Sequence, residues 1–84
     1  MNFFDLTFER TFDGKQAMVE LANGYEISVV RNGLSYGGKK GFYEIGVFKA
    51  GTDKMVDPLG WGDTVKGWLL PSEVMEQINL IKSL

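Results

Sequence analysis

Apolar and polar residues alternate along most of this chain, and the alternation is cut into short lengths by turn pairs. Phe4, Leu6, Phe8 and, past Arg10, Phe12 fall on one side, with Asp5, Thr7, Glu9 and Thr11 on the other. A period of two predicts a half-buried strand. Asp13-Gly14 suits positive φ, and beyond it Ala17, Val19 and Leu21 alternate with Met18 and Glu20, completing a hairpin. Asn23-Gly24 is a second strong turn, followed by Tyr25, Ile27 and Val29 against Glu26 and Ser28. Tyr43, Ile45 and Val47 predict a fourth strand running to Phe48. Residues 54–56 form a short fifth, which Asp57-Pro58 stops because proline has no N–H for a ladder.

Two stretches lack this period. Residues 31–41 hold four of the eleven glycines and read as a loop, and residues 59–67 read as an irregular loop with at most one helical turn. From Pro71 the spacing becomes helical: Val74, Ile78 and Ile81 recur at i, i+4 and i+7, widened by Met75 and Leu84. Pro71 suits the first turn, Glu73 the positive end of the helix dipole and Lys82 the negative end. The expected fold class is therefore α+β: an antiparallel sheet of four to five strands, a meander, with one C-terminal amphipathic helix packed on one face. Eighty-four residues support a single domain, 1–84, with no second core.

Composition narrows the function by subtraction. With zero Cys and zero His there is no Cys/His metal site, no Ser-His-Asp or Cys-His catalytic group and no disulfide. Asp53, Asp57 and Asp63 lie near turns beside Gly or Pro, where aspartate serves the backbone. A carboxylate pair for acid/base or divalent-metal chemistry ranks below that reading. The chain is thus expected to be no enzyme and to carry neither cofactor nor metal. No apolar run reaches membrane-spanning length, and Asp5 follows Phe3 and Phe4 where a signal peptide needs positive charge. A net charge of -2 argues against general attraction to nucleic acid, though not against a local basic patch.

Such a patch has one candidate. Arg31, Lys39 and Lys40 gather three of the nine basic residues in the glycine-rich loop, leaving six bases against all eleven acids elsewhere. Tight turns present backbone N–H groups to anions, and the lysines add charge. The stretch is not a nucleotide-binding P-loop: Gly37-Gly38-Lys39-Lys40-Gly41 leads into a strand, with no Ser or Thr after the lysines. Tyr36 could stack on a base or anchor a protein contact. The competing reading is a mobile, solubilising connection. Of the two tryptophans, Trp68 beside Leu69 and Leu70 reads as core, whereas Trp61 between Gly60 and Gly62 reads as an exposed anchor. If the first strand is an open edge, it offers a route to a homodimer by strand addition.

The stretches Gly24-Tyr25-Glu26-Ile27-Ser28-Val29-Val30-Arg31, Ser35-Tyr36-Gly37-Gly38 and Gly41-Phe42-Tyr43-Glu44-Ile45-Gly46-Val47 resemble a family of small, mostly uncharacterised proteins of tailed bacteriophages. Gly67-Trp68-Leu69 with Pro71, Glu73 and Val74 is similar to its C-terminal segment, so the likeness spans residues 24–81. The segment from Asp57 to Trp61 departs from the pattern, and no site residue transfers. The resemblance implies a virus acting inside a bacterium, hence the host cytoplasm. It also implies a protein that works by stoichiometric binding, as inhibitors of host defence such as anti-CRISPR proteins do. The leading expectation is a phage-type protein that binds and inhibits a host protein or defence complex through Arg31, Tyr36, Lys39, Lys40 and Trp61. The alternative is a small anion or nucleic-acid binding module using the loop 31–41.

Overall fold

Turn chemistry sets the order of the sheet. In the computed structural model, which describes residues 2–11 and 13–84, β1 (Glu9–Thr11), β2 (Gly14–Glu20), β3 (Tyr25–Arg31) and β4 (Tyr43–Lys49) follow one another as an antiparallel meander. Gly24, between β2 and β3, has φ 92°, a left-handed conformation that glycine adopts without the clash a Cβ would bring. The far edge of β4 is shared. β5 (Met55–Val56) pairs with Val47 and Phe48, and β6 (Val65–Leu69) pairs with the preceding half of the strand, Tyr43 to Gly46.

Helix α1 (Pro71–Lys82) packs against β3, β4, β6 and the N-terminal turn. It begins where proline's missing N–H costs nothing, and the Glu73 carboxylate accepts the Leu70 N–H at 2.9 Å. Val74, Met75, Ile78 and Ile81 are buried against Ile27, Val29, Ile45 and Val47, as the spacing requires. Leu84, expected in the apolar stripe, lies past the helix end and is exposed. The fold is α+β, an open antiparallel sheet with one C-terminal helix against it. Among the described residues no helix is long and apolar enough to cross a membrane.

Three expectations need correction. The first strand is not continuous from Phe4: residues Phe3–Asp5 form a short 3-10 turn, and only Glu9–Thr11 joins the sheet. The Asn2 side chain accepts the Phe4 N–H at 2.9 Å and Asp5 accepts the Asn2 N–H at 2.7 Å, a capping box that wins over the alternation and leaves Phe4 94% exposed. Leu6 and Phe8 do reach the core as expected; Phe12 lies outside the described residues. Next, the loop expected over 59–67 ends earlier, because Val65–Leu69 is strand β6. Its alternation is broken by a bulge, because Gly67 and Trp68 together stand opposite Glu44. Finally, Trp68 is not core. It sits in that bulge at φ 60° and is 55% exposed.

Candidate anion-binding cleft

The strand register sorts charge by face. Glu9, Gln16, Val30 and Glu44 form one cross-strand row and Glu20, Glu26 and Phe48 another, so every strand-borne glutamate points away from the helix. Arg10, Lys15 and Arg31 align in a row that continues the helix-side face, which Lys49 and Lys66 share. Among strand residues, the sheet face turned from the helix thereby carries only acidic charge and the helix-side face only basic charge.

The basic row floors a cleft of about 710 Å³ lined by Phe8, Arg10, Lys15, Arg31, Asn32 and Lys39, among others. Four bases in this lining face two acids, Glu9 and Asp13. The Lys15 ammonium lies 4.8 Å from the Phe8 ring centre and 5.5 Å from that of Tyr43, and the Arg31 guanidinium lies 5.3 Å from the same Tyr43 ring. Ring quadrupoles attract each cation, yet the two cations repel one another. Thr11, also in the lining, keeps a buried hydroxyl with no hydrogen-bond partner among the described residues.

Residues 31–41 form an ordered wall. Asn32 Oδ1 accepts the N–H groups of Leu34 and Ser35 at 2.9 and 2.8 Å, and Ser35 Oγ accepts the Asn32 N–H at 2.9 Å. Gly38 is pressed so closely on the Asn32 carbonyl that no Cβ would fit, and Asp13 ties the wall to the β1–β2 turn by accepting the Gly33 N–H at 3.1 Å. A short 3-10 turn, Gly38–Lys40, brings Lys39 over the cleft and leaves Lys40 exposed outside its lining.

Of the five residues singled out in the sequence, Arg31 and Lys39 meet in the cleft. Tyr36 belongs to a separate aromatic group: it rests on Gly67, its N–H donates to Glu44 Oε2 at 2.8 Å, and its carbonyl accepts the Trp68 N–H at 3.1 Å. Phe42 packs on Trp68 at 5.7 Å between ring centres, with Gly37 beneath the indole. Trp61 is not a free anchor. It is half-buried against the core, its Nε1 donates to Gln77 Oε1 of α1 at 3.0 Å, and its N–H donates to Asp57 at 2.8 Å. Asp57 and Asp63 serve turns, accepting the N–H groups of Trp61, Gly62 and Thr64, and no group of three acids among the described residues is placed to hold a metal ion. β1 is a sheet edge, only three residues long and two of them charged, which blunts strand addition.

Arg10 and Lys15 were missed as site residues, although a signal for them exists. Arg10 is in phase with Phe8, Lys15 with Ala17 and Val19, and Arg31 with Ile27 and Val29. Three bases extending three apolar stripes mark one basic end of a buried face. No family model, curated protein or solved structure matches this chain.

Proposed function

We propose that this protein is a non-enzymatic binding module whose cleft, built by Arg10, Lys15, Arg31 and Lys39, seats a phosphate-bearing ligand. The observation that carries the reading is the convergence of Lys15 and Arg31 on one tyrosine ring, in a lining where four bases outnumber two acids. A dense anion between them offsets their repulsion, and guanidinium groups from two strands match phosphate oxygens in pairs. The test is calorimetric titration with pyrophosphate at low salt. Binding to the wild type that is lost in Arg31→Gln and in Lys15→Gln supports the reading, whereas absence of binding, or binding unchanged in both variants, overturns it.

A second reading keeps the phage-type inhibitor of a host protein or defence complex, anti-CRISPR-like and acting in the host cytoplasm. Two features favour it besides the family resemblance. Glu9, Glu20, Glu26 and Glu44 give the open sheet face a uniform negative charge suited to a basic groove on a partner, even though the whole chain is a poor nucleic-acid mimic. At the end of that face stand Trp68 and Tyr36, 55% and 58% exposed, residue types that dominate protein interfaces. Capture of a stoichiometric host partner that is lost in Trp68→Ala and Glu44→Lys but kept in Arg31→Gln would select this reading over the first.

A further inference from the structure

We infer that the ligand of the cleft is single-stranded nucleic acid, its backbone following the Arg10–Lys15–Arg31 row and a base stacking on Phe4, the exposed end of the Phe8–Phe3–Phe4 ring chain; this rests on the anion-seat reading above. A point-like anion needs one or two cations. Here three lie in one cross-strand row, stepping from β1 to β2 to β3 at about 4.8 Å per strand, and Lys39 adds a fourth from the loop wall. A line of charge suits a polyanion.

Beside that line runs a chain of rings. Phe8 lines the cleft below the Lys15 ammonium, Phe3 lies 5.5 Å from Phe8, and Phe4 lies 6.4 Å from Phe3, edge to face. Phe3 and Phe8 are half-buried against the core, whereas Phe4 is almost entirely in water. An exposed phenyl ring contributes nothing to folding by burial. Yet this one is held on ordered backbone, since the Asn2 and Asp5 side chains close the turn that carries it. A cationic track with an exposed ring, Phe4, at its flank is the kind of arrangement by which single strands are held without regard to sequence.

A duplex is a poorer fit. Its bases are already stacked and hidden from Phe4, and the glutamates on the opposite sheet face repel any nucleic acid that wraps beyond the cleft. DNA and RNA strands share the chemistry argued here, and paired probes distinguish them.

The experiment uses fluorescein-labelled oligothymidine and oligouridine of about ten nucleotides, a duplex of the same length, and pyrophosphate as the small anion. Wild-type protein is expected to bind a single strand more tightly than the duplex. In Phe4→Ala, single-strand affinity should fall about tenfold while pyrophosphate affinity stays unchanged. Arg31→Gln should weaken both. If pyrophosphate binds but neither oligonucleotide does, or if Phe4→Ala leaves strand affinity unchanged, the single-strand inference is overturned and the anion seat survives. If neither pyrophosphate nor oligonucleotide binds, both fall. Because Phe4 is exposed, its variant should melt at the wild-type temperature, which separates lost contact from lost fold.

Discussion

Lys15 and Arg31 face each other directly across β2 and β3, and both place positive charge over the ring of Tyr43. Opposed like charges on neighbouring strands destabilise a sheet by a few tenths to about 1 kcal/mol, an amount comparable to one cation–π contact, so the two effects nearly cancel at low ionic strength. Arg31→Gln should accordingly change stability by less than about 0.5 kcal/mol in dilute buffer. As salt shortens the Debye length the repulsion is screened first, and the wild type should gain on the variant by about 0.5–1 kcal/mol. Urea unfolding of both proteins across a sodium chloride series measures the difference. Parallel salt responses would remove the opposed-charge account.

Trp68 occupies the left-handed region at φ 60°, where a side chain costs about 1–2 kcal/mol relative to glycine. Its indole is retained there by Phe42 and by the bare face of Gly37, itself at φ 84°. Trp68→Ala discards the packing and keeps the strain, while Trp68→Gly discards both. The glycine variant should therefore be the more stable of the two, by about 1 kcal/mol, an inversion of the usual order in strands. Equal denaturation midpoints would mean that the bulge relaxes once the indole is gone.

What the sequence disclosed and what it hid divide along a physical line. β2, β3, β4 and α1 were legible because each buries one face of a regular period, as Ile27, Val47 and Ile78 record by their complete burial. The concealed parts depend on a break in period or on a distant partner. The Asn2–Asp5 cap replaces a predicted strand with a turn, and the bulge at Gly67 and Trp68 reverses the parity of β6, turning an expected core tryptophan outward. The cleft was half legible: Arg31 and Lys39 were visible as loop charges, but joining them to Arg10 and Lys15 requires the β1–β2–β3 register.

Asn23 shows how far such partners can lie. Its turn with Gly24 is local, yet its Nδ2 donates to the carbonyl of Ile81 at 2.8 Å, joining the C-terminal end of α1 to the β2–β3 turn. The last carbonyls of a helix have no internal donors, so this amide satisfies one of them. Asn23→Ala should cost about 0.5–1.5 kcal/mol, and Asn23→Asp more, because a carboxylate set against carbonyl oxygens repels where the amide donated. Chemical unfolding gives the ranking. Hydrogen exchange should show the loss concentrated in the last turn of α1.

The two tryptophans occupy opposite environments, which makes their fluorescence a direct check on the corrected placement. Trp61 is half-buried with its indole N–H on Gln77, and Trp68 stands in the bulge with more than half its surface in water. Trp61→Phe leaves Trp68 as the sole indole, and its emission should be red-shifted and strongly quenched by acrylamide. Trp68→Phe leaves Trp61, which should emit further to the blue and resist quenching. The Gln77 bond adds a finer test: Gln77→Leu removes the acceptor while preserving the aliphatic stem, so a partly buried indole N–H loses its partner at a cost of up to about 1 kcal/mol. That cost should vanish in the Trp61→Phe background, where no donor is left unpaired. A double-mutant cycle that returned no coupling between positions 61 and 77 would show that Trp61 is held by apolar packing alone.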